Sequence, residues 1–182
     1  MEIQVLVVGG SNSIKYTPYV RHHFEGRARV NRVPDNARST RYTLERIDDW
    51  LGSGNWNVIH CNWGMHDLTR IDGVVPQIPL QEYEENLRRL LLRLGKVGEK
   101  LIWANTMFMM EELQPRRRID DVRVYNRAAE SIVRSLRIPV HDLFRLTSER
   151  QELFGPDGLH FTDEGYRVLG QDVGMKIASV LE

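Results

Sequence analysis

Residues 5–20 read VLVVGGSNSIKYTPYV. An apolar run, Ile3–Val8, stops at two glycines, then at two serines flanking an asparagine, then at Thr-Pro. Broken only by Gln4 and without in/out alternation from Val5 to Val8, such a run marks a strand covered on both faces, as in a parallel sheet, rather than one with a wet side. The glycine-serine stretch after it has three readings. It turns a corner, cradles a phosphate, or presents a nucleophile.

Further runs recur at Ala28–Val33, the weakest of them, and at Val58–Cys61, Leu101–Ala104 and Ile138–Val140. Between them apolar residues fall at helical spacing. One stripe is Leu44, Ile47, Trp50 and Leu51, ending at Gly52; another is Leu80, Tyr83, Leu87, Leu90, Leu91 and Leu94, begun by Pro79. A third runs from Ile119 through Tyr125 and Ile132 to Leu136. The last carries Tyr166, Leu169, Val173, Ile177 and Val180 after Thr162, a side chain suited to an N-cap. Strand and helix alternating five times predict one α/β domain over residues 1–182. Its expected form is a three-layer α/β/α sandwich around a five-stranded parallel sheet, flavodoxin-like in plan.

With 25 basic and 25 acidic side chains in 182 residues, no net field draws the chain to nucleic acid or to an anionic membrane. Arg116, Arg117 and Arg118 form a short basic cluster without interleaved aromatics, read as a solvated helix entrance. The single cysteine, Cys61, excludes an intramolecular disulfide, and its apolar neighbours predict a buried thiol. No leader-like segment precedes the first strand and no apolar stretch reaches the ~20 residues of a membrane span, so cytoplasmic residence and no membrane partner are the expectation.

Ligands of open parallel sheets bind outside the carboxyl ends of the strands. The loops leaving the strands are therefore the ones to search: GGSNS, PDNARST (34–40), NWGMHDL (62–68), NTMFMM (105–110) and the late GPDGLH (155–160). In the last, Asp157 and His160 stand three apart in a turn. A carboxylate there can hold one imidazole nitrogen and leave the other as a base; the bland alternative is a turn cap beside a packed histidine. The phosphate reading of the first loop fails, because neither Gly-Lys-Ser/Thr nor a third glycine follows Gly9-Gly10. A metal site from His66, Asp67 and His160 has competent ligands, but no helical His pair supports it. His22, His23, His60 and His141 read as surface or core histidines.

Together these loops resemble the SGNH, or GDSL-type, hydrolase family, over nearly the whole chain. Gly9-Gly10-Ser11 is similar to its nucleophile block, Gly64-Met65-His66-Asp67 to its Gly-x-Asn-Asp block, and Asp157-Gly158-Leu159-His160 to its Asp-x-x-His block. The chain departs from the pattern at three places. Gly10 replaces an aspartate that organises the loop, so Ser11 is expected to be held more loosely. Ala37 or Arg38 replaces the second-block glycine, and His66 the third-block asparagine.

The resemblance implies an ester hydrolase without metal or organic cofactor, with Ser11, His160 and Asp157 as a catalytic triad. It places the oxyanion hole at the N–H groups of Ser11 and of Ala37 or Arg38, together with the His66 ring. Ser13 is the rival nucleophile. Gly10, Asn12, Asn36 and Gly64 are expected at the pocket, with Tyr16 and Trp63 at its mouth as platforms for a sugar ring; the bland alternative for both is ordinary packing. Without room for a lid, an open site for small acyl groups follows. An acetyl ester on a carbohydrate is the first substrate expectation. A general short-chain carboxylesterase or thioesterase, or an impaired binding module on the same fold, is the alternative.

Overall fold

A computed structural model describes residues 2–52, 54–114 and 116–181. Ile3–Val8 (β1) leads into Ser11–His23 (α1), then Ala28–Arg32 (β2) and two short helices, Thr40–Leu44 (α2) and Ile47–Leu51 (α3). Trp56–Cys61 (β3) is followed by a two-residue hairpin, Arg70–Ile71 (β4) with Val75–Pro76 (β5), and by Leu80–Leu94 (α4). Gly98–Ala104 (β6), Ile119–Ser135 (α5), Val140–His141 (β7), Leu143–Glu149 (α6) and Asp163–Leu181 (α7) complete the chain.

The main sheet has the order β2-β1-β3-β6-β7, and every neighbouring pair in it is parallel. The chain steps from β1 to β2 on one side and then to β3 on the other, so the strand order reverses between β1 and β3. That reversal is where a crevice opens at the carboxyl edge.

Each central strand is buried on both faces, as its sequence predicted. Leu6, Val8, Ile59, Cys61 and Trp103 pack with α3, α4 and α5, whereas Val5, Val7, Val58, Ile102 and Ala104 pack with α1 and α7. The Cys61 thiol lies in the first of these cores, and burial raises its pKa. Among the described residues no helix is long and apolar enough to cross a membrane.

Three elements differ from expectation. The stripe at 44–51 is two five-residue helices, because the chain breaks at Glu45-Arg46. The last strand starts later than Ile138, whose N–H is taken by the Val133 carbonyl at the end of α5 after Arg137 adopts φ +57°. The largest difference is α1, which occupies the stretch read as a loop. Its buried positions are Ser13, Tyr16, Thr17 and Val20, a helical spacing carried mainly by polar side chains.

Close packing of α1 on α7 carries the first strand's helix to the last one. A Cβ on Gly170 would stand 2.4 Å from the Tyr19 Cβ, and one on Gly174 would stand 2.6 Å from the His23 ring. Two glycines one turn apart thus make a groove into which α1 settles.

Candidate active site

Gly10 is extended, at φ −78° and ψ −159°, and Ser11 is the first residue of α1. The Gly10 carbonyl accepts the N–H groups of Ser13 (3.0 Å) and Ile14 (3.3 Å) and the Ser13 hydroxyl (2.7 Å). The first turn of α1 is thus hydrogen-bonded to the carbonyl of a glycine where the resemblance puts an aspartate. As the first residue of a helix, Ser11 has a backbone N–H with no intrahelical acceptor. Ser13 is spent on structure, since its hydroxyl also accepts Arg32 Nε at 3.3 Å.

The base arrives from the far end of the chain, in the turn that precedes α7. Asp157 Oδ1 accepts the backbone N–H groups of Leu159 (3.0 Å) and His160 (2.8 Å), while Oδ2 lies 2.6 Å from His160 Nδ1. The other ring nitrogen, Nε2, is 2.9 Å from Ser11 Oγ. Burial pushes the Asp157 carboxyl up, but the hydrogen bonds from the His160 ring and the two N–H groups prevail and hold it at about 2. Asp157 is thus ionised at neutral pH. Nδ1 donates to it, and the lone pair on Nε2 is left to accept the serine hydroxyl.

Asn12 braces this meeting of chain ends. Its amide nitrogen donates to the Leu159 carbonyl at 3.3 Å, and its amide oxygen accepts the Tyr166 hydroxyl at 3.0 Å. The predicted cap of α7 forms too, with the Gly165 N–H on the Thr162 hydroxyl at 3.1 Å.

Ser11 and His160 open on a pocket of about 280 Å³ whose walls include Gly10, Asn36, Asn62, Met65, His66, Thr106, Met107, Leu159 and Arg117. A Cβ on Gly10 would be 3.6 Å from Asn36 Oδ1 and 3.9 Å from His66 Nε2, so position 10 leaves open the space between those two side chains and Ser11. Burial first, then the charges of Arg117, Arg38 and His160, lower the His66 pKa to about 4. At neutral pH its ring is uncharged and carries one N–H. A larger groove, about 760 Å³, lies at the opposite edge of the sheet and has no serine, histidine or cysteine in its walls among the described residues.

The profile of the GDSL-like lipase/acylhydrolase family matches residues 8–168. The chain belongs to that family. It is 25% identical over 116 residues to the GDSL esterase/lipase WDL1 of Oryza sativa subsp. japonica; the match covers 56% of this chain and 45% of that protein, so the chain spans less than half the length of the curated relative it matches. Its fold is similar to the crystal structure of a lipase/acylhydrolase from Enterococcus faecalis, with TM-score 0.84 and 19% identity over 97% of this chain and 95% of that one. It is similar too to an acetyl xylan esterase, AlAXEase, with TM-score 0.81 and 14% identity over 96% and 100%.

Against the GDSL pattern, the second-block backbone is the main correction. The Ala37 N–H is bound to the Gly9 carbonyl at 3.1 Å, and the Arg38 N–H to Asn36 Oδ1 at 2.9 Å. Neither is free to face an oxyanion. Arg38 does hold the left-handed conformation that glycine favours, at φ +49°. The Asn36 side chain closes that turn, while its amide nitrogen has no partner among the described residues.

The expectation of two aromatic platforms at the mouth is corrected. Trp63 is buried in the core, its indole N–H donating to the Thr43 hydroxyl at 2.8 Å, whereas Tyr16 does border the pocket, as expected, but is fully buried rather than exposed at the mouth. Neither ring stacks on a ligand at the mouth. Gly64 is not in the pocket wall; at φ +129° a Cβ there would stand 2.1 Å from Thr106 Oγ1. Glycine is needed because Thr106 crosses there to donate to the Trp63 carbonyl.

The ligand set weighed for a metal does not converge. Asp67 faces inward, its Oδ1 accepting the Thr40 N–H (2.9 Å) and hydroxyl (2.5 Å), and burial raises its pKa to about 7 despite those bonds. Arg117, read as part of a solvated entrance, is instead half-buried in the pocket wall, while Arg116 and Arg118 are exposed. Sequence reasoning also missed Asn62 and Thr106, although both follow central strands at the carboxyl edge, where the search was directed.

Proposed function

We propose that this GDSL-family chain is a serine hydrolase that cleaves short acyl esters, acetyl foremost, with a carbohydrate as the alcohol. The single observation that carries the reading is the unbroken line from Asp157 Oδ2 through the His160 ring to Ser11 Oγ, at 2.6 and 2.9 Å. His160 Nε2 takes the hydroxyl proton as Ser11 Oγ bonds to the ester carbonyl carbon. Asp157 fixes the tautomer and stabilises the imidazolium. The carbonyl electron pair moves to its oxygen, which faces the Ser11 N–H, the His66 ring and the Asn36 amide. One such donor typically contributes about 2.7–4 kcal/mol to the transition state. On collapse the alcohol leaves with the proton from His160. Water then attacks the acyl-enzyme, His160 taking its proton and returning it to Ser11, and releases the acid.

The substrate class has its own support. The pocket's modest volume, about 280 Å³, favours a short acyl group. Met65, Met107 and Leu159 offer it apolar walls. One structural relative is itself an acetyl xylan esterase.

A fluorophosphonate probe followed by peptide mapping tests the reading. Labelling is expected at Ser11 and lost in Ser11→Ala and His160→Ala. A folded protein that takes no label and cleaves no 4-nitrophenyl acetate overturns it.

A further inference from the structure

Two arginines near the carboxyl edge of the sheet are drawn partly out of solvent, and they are used in opposite ways. Arg32 is a structural staple. Its Nε donates to the Ser13 hydroxyl (3.3 Å), Nη1 to the Val33 carbonyl (2.5 Å), and Nη2 to the carbonyls of Gly9 (3.1 Å) and Asp35 (2.9 Å). The Arg117 guanidinium makes one hydrogen bond among the described residues, from Nη1 to Gln114 Oε1 at 2.7 Å. Its Nε is buried with no partner among the described residues, and its guanidinium enters no ion pair there. Yet it shares the pocket wall with Ser11, His66 and His160.

We propose that Arg117 recognises a carboxylate on the substrate, so that the site selects esters with an anionic group close to the scissile bond. This rests on the ester-hydrolase reading above and names its substrate class more closely. A guanidinium has five donors in a planar fork, and leaving buried donors without an acceptor is costly. A carboxylate matches that fork with two parallel hydrogen bonds.

The fork is held in advance. Gln114 donates through Nε2 to the Asp157 carbonyl at 2.5 Å, which leaves its Oε1 for Arg117 and ties the arginine to the turn carrying His160. The carboxylates nearby are already engaged. Both Asp157 oxygens serve the His160 turn, and Asp35 Oδ2 accepts the Tyr42 hydroxyl at 2.5 Å. The other arginine beside His66, Arg38, lays its guanidinium over the Tyr42 ring, 4.6 Å from the centroid. One guanidinium near the ionised Asp157 suits a monoanion. A phosphate dianion would keep an unmatched charge there.

The experiment compares isosteric pairs differing in one charge. Monomethyl succinate against methyl succinamate puts the charge on the acyl side; acetoxyacetate against acetoxyacetamide puts it on the alcohol side. In at least one pair the wild type is expected to favour the acid by about ten- to a hundred-fold in kcat/KM, the scale of a hydrogen bond to a charged group. Arg117→Gln should bring that ratio to about one and Arg117→Lys should keep part of it, with Ser11 still labelled by a fluorophosphonate in both.

The wild-type ratio needs no variant. Ratios at or below one in both pairs, with Ser11 labelled and the neutral esters cleaved, overturn the assignment. So does a preference that survives Arg117→Gln. Failure of the ester-hydrolase reading is a separate result, with no label and no cleavage of any ester.

Discussion

The molecule contains two carboxylate–imidazole relays built from the same parts. In one, Asp157 Oδ2 lies 2.6 Å from His160, whose far nitrogen is 2.9 Å from the Ser11 hydroxyl. In the other, Asp172 Oδ2 lies 2.6 Å from His141 Nε2, whose Nδ1 is 3.0 Å from His60 Nε2. The contacts are alike, yet the second relay ends on a fully buried ring against the sheet with no nucleophile to activate. It joins β3, β7 and α7 and does the work of packing. What the far nitrogen faces, and whether that partner opens on a pocket, separates the two.

That contrast is open to attack at several strengths. The largest effect is expected from Asp157→Asn, which removes the ionised partner of His160 Nδ1 and should lower kcat by about 10⁴-fold, the scale of the corresponding change in a serine protease triad. A loss under ten-fold would make the first relay no more catalytic than the second. Next is His66→Ala, expected to lower kcat by about 10²–10³-fold with KM nearly unchanged, as for a lost oxyanion donor. His66→Asn should recover much of it, because the amide restores a neutral donor. An unchanged kcat in the alanine variant would remove His66 from the mechanism.

The smallest effect on turnover belongs to the second relay. Asp172→Ala should leave kcat within about two-fold but cost about 1–3 kcal/mol of stability, because His141 loses a hydrogen-bond partner. A lower urea midpoint would show it. The same titration carries a sign with pH. Burial, and then the charges of His141 and Lys176, lower the His60 pKa well below its ordinary 6.5, and His66 is lowered to about 4. The unfolded chain therefore binds more protons at these two sites, and stability falls as pH drops below about 6.5. Asp67, raised to about 7, acts the other way between about pH 4 and 7, with one proton against two. Wild-type stability is thus expected to rise from pH 5 to pH 6.5, and a flat or falling urea midpoint would contradict the buried neutral state of these rings.

Much of this was legible in the residues, and what was not has identifiable causes. The three central strands, β1, β3 and β6, appeared as apolar runs because both faces of the sheet are covered, and α4 and α5 appeared because one side of each is apolar. Helix α1 did not, because Ser13 and Thr17 fill buried helical positions and send their hydroxyls to the carbonyls of Gly10 and Ser13. A hydropathy pattern does not register a buried surface of that kind. Trp63 misled for the converse reason. A tryptophan in a loop at the functional edge reads as a ligand platform, but its indole turns inward to Thr43.

The sequence by itself determined the class of fold and the chemical parts, since apolar periodicity and the order of Ser11, His66, Asp157 and His160 are properties of the chain. Tertiary structure alone decided how those parts are used. It set Ser11 at the start of a helix and drew that helix onto Gly170 and Gly174 of α7, bringing residues 149 positions apart to 2.9 Å. It also occupied the Ala37 N–H with the carbonyl of Gly9, and it turned Arg117 inward from between two exposed arginines. Hydrogen-bond saturation and side-chain direction depend on partners distant in sequence, so no local pattern encodes them.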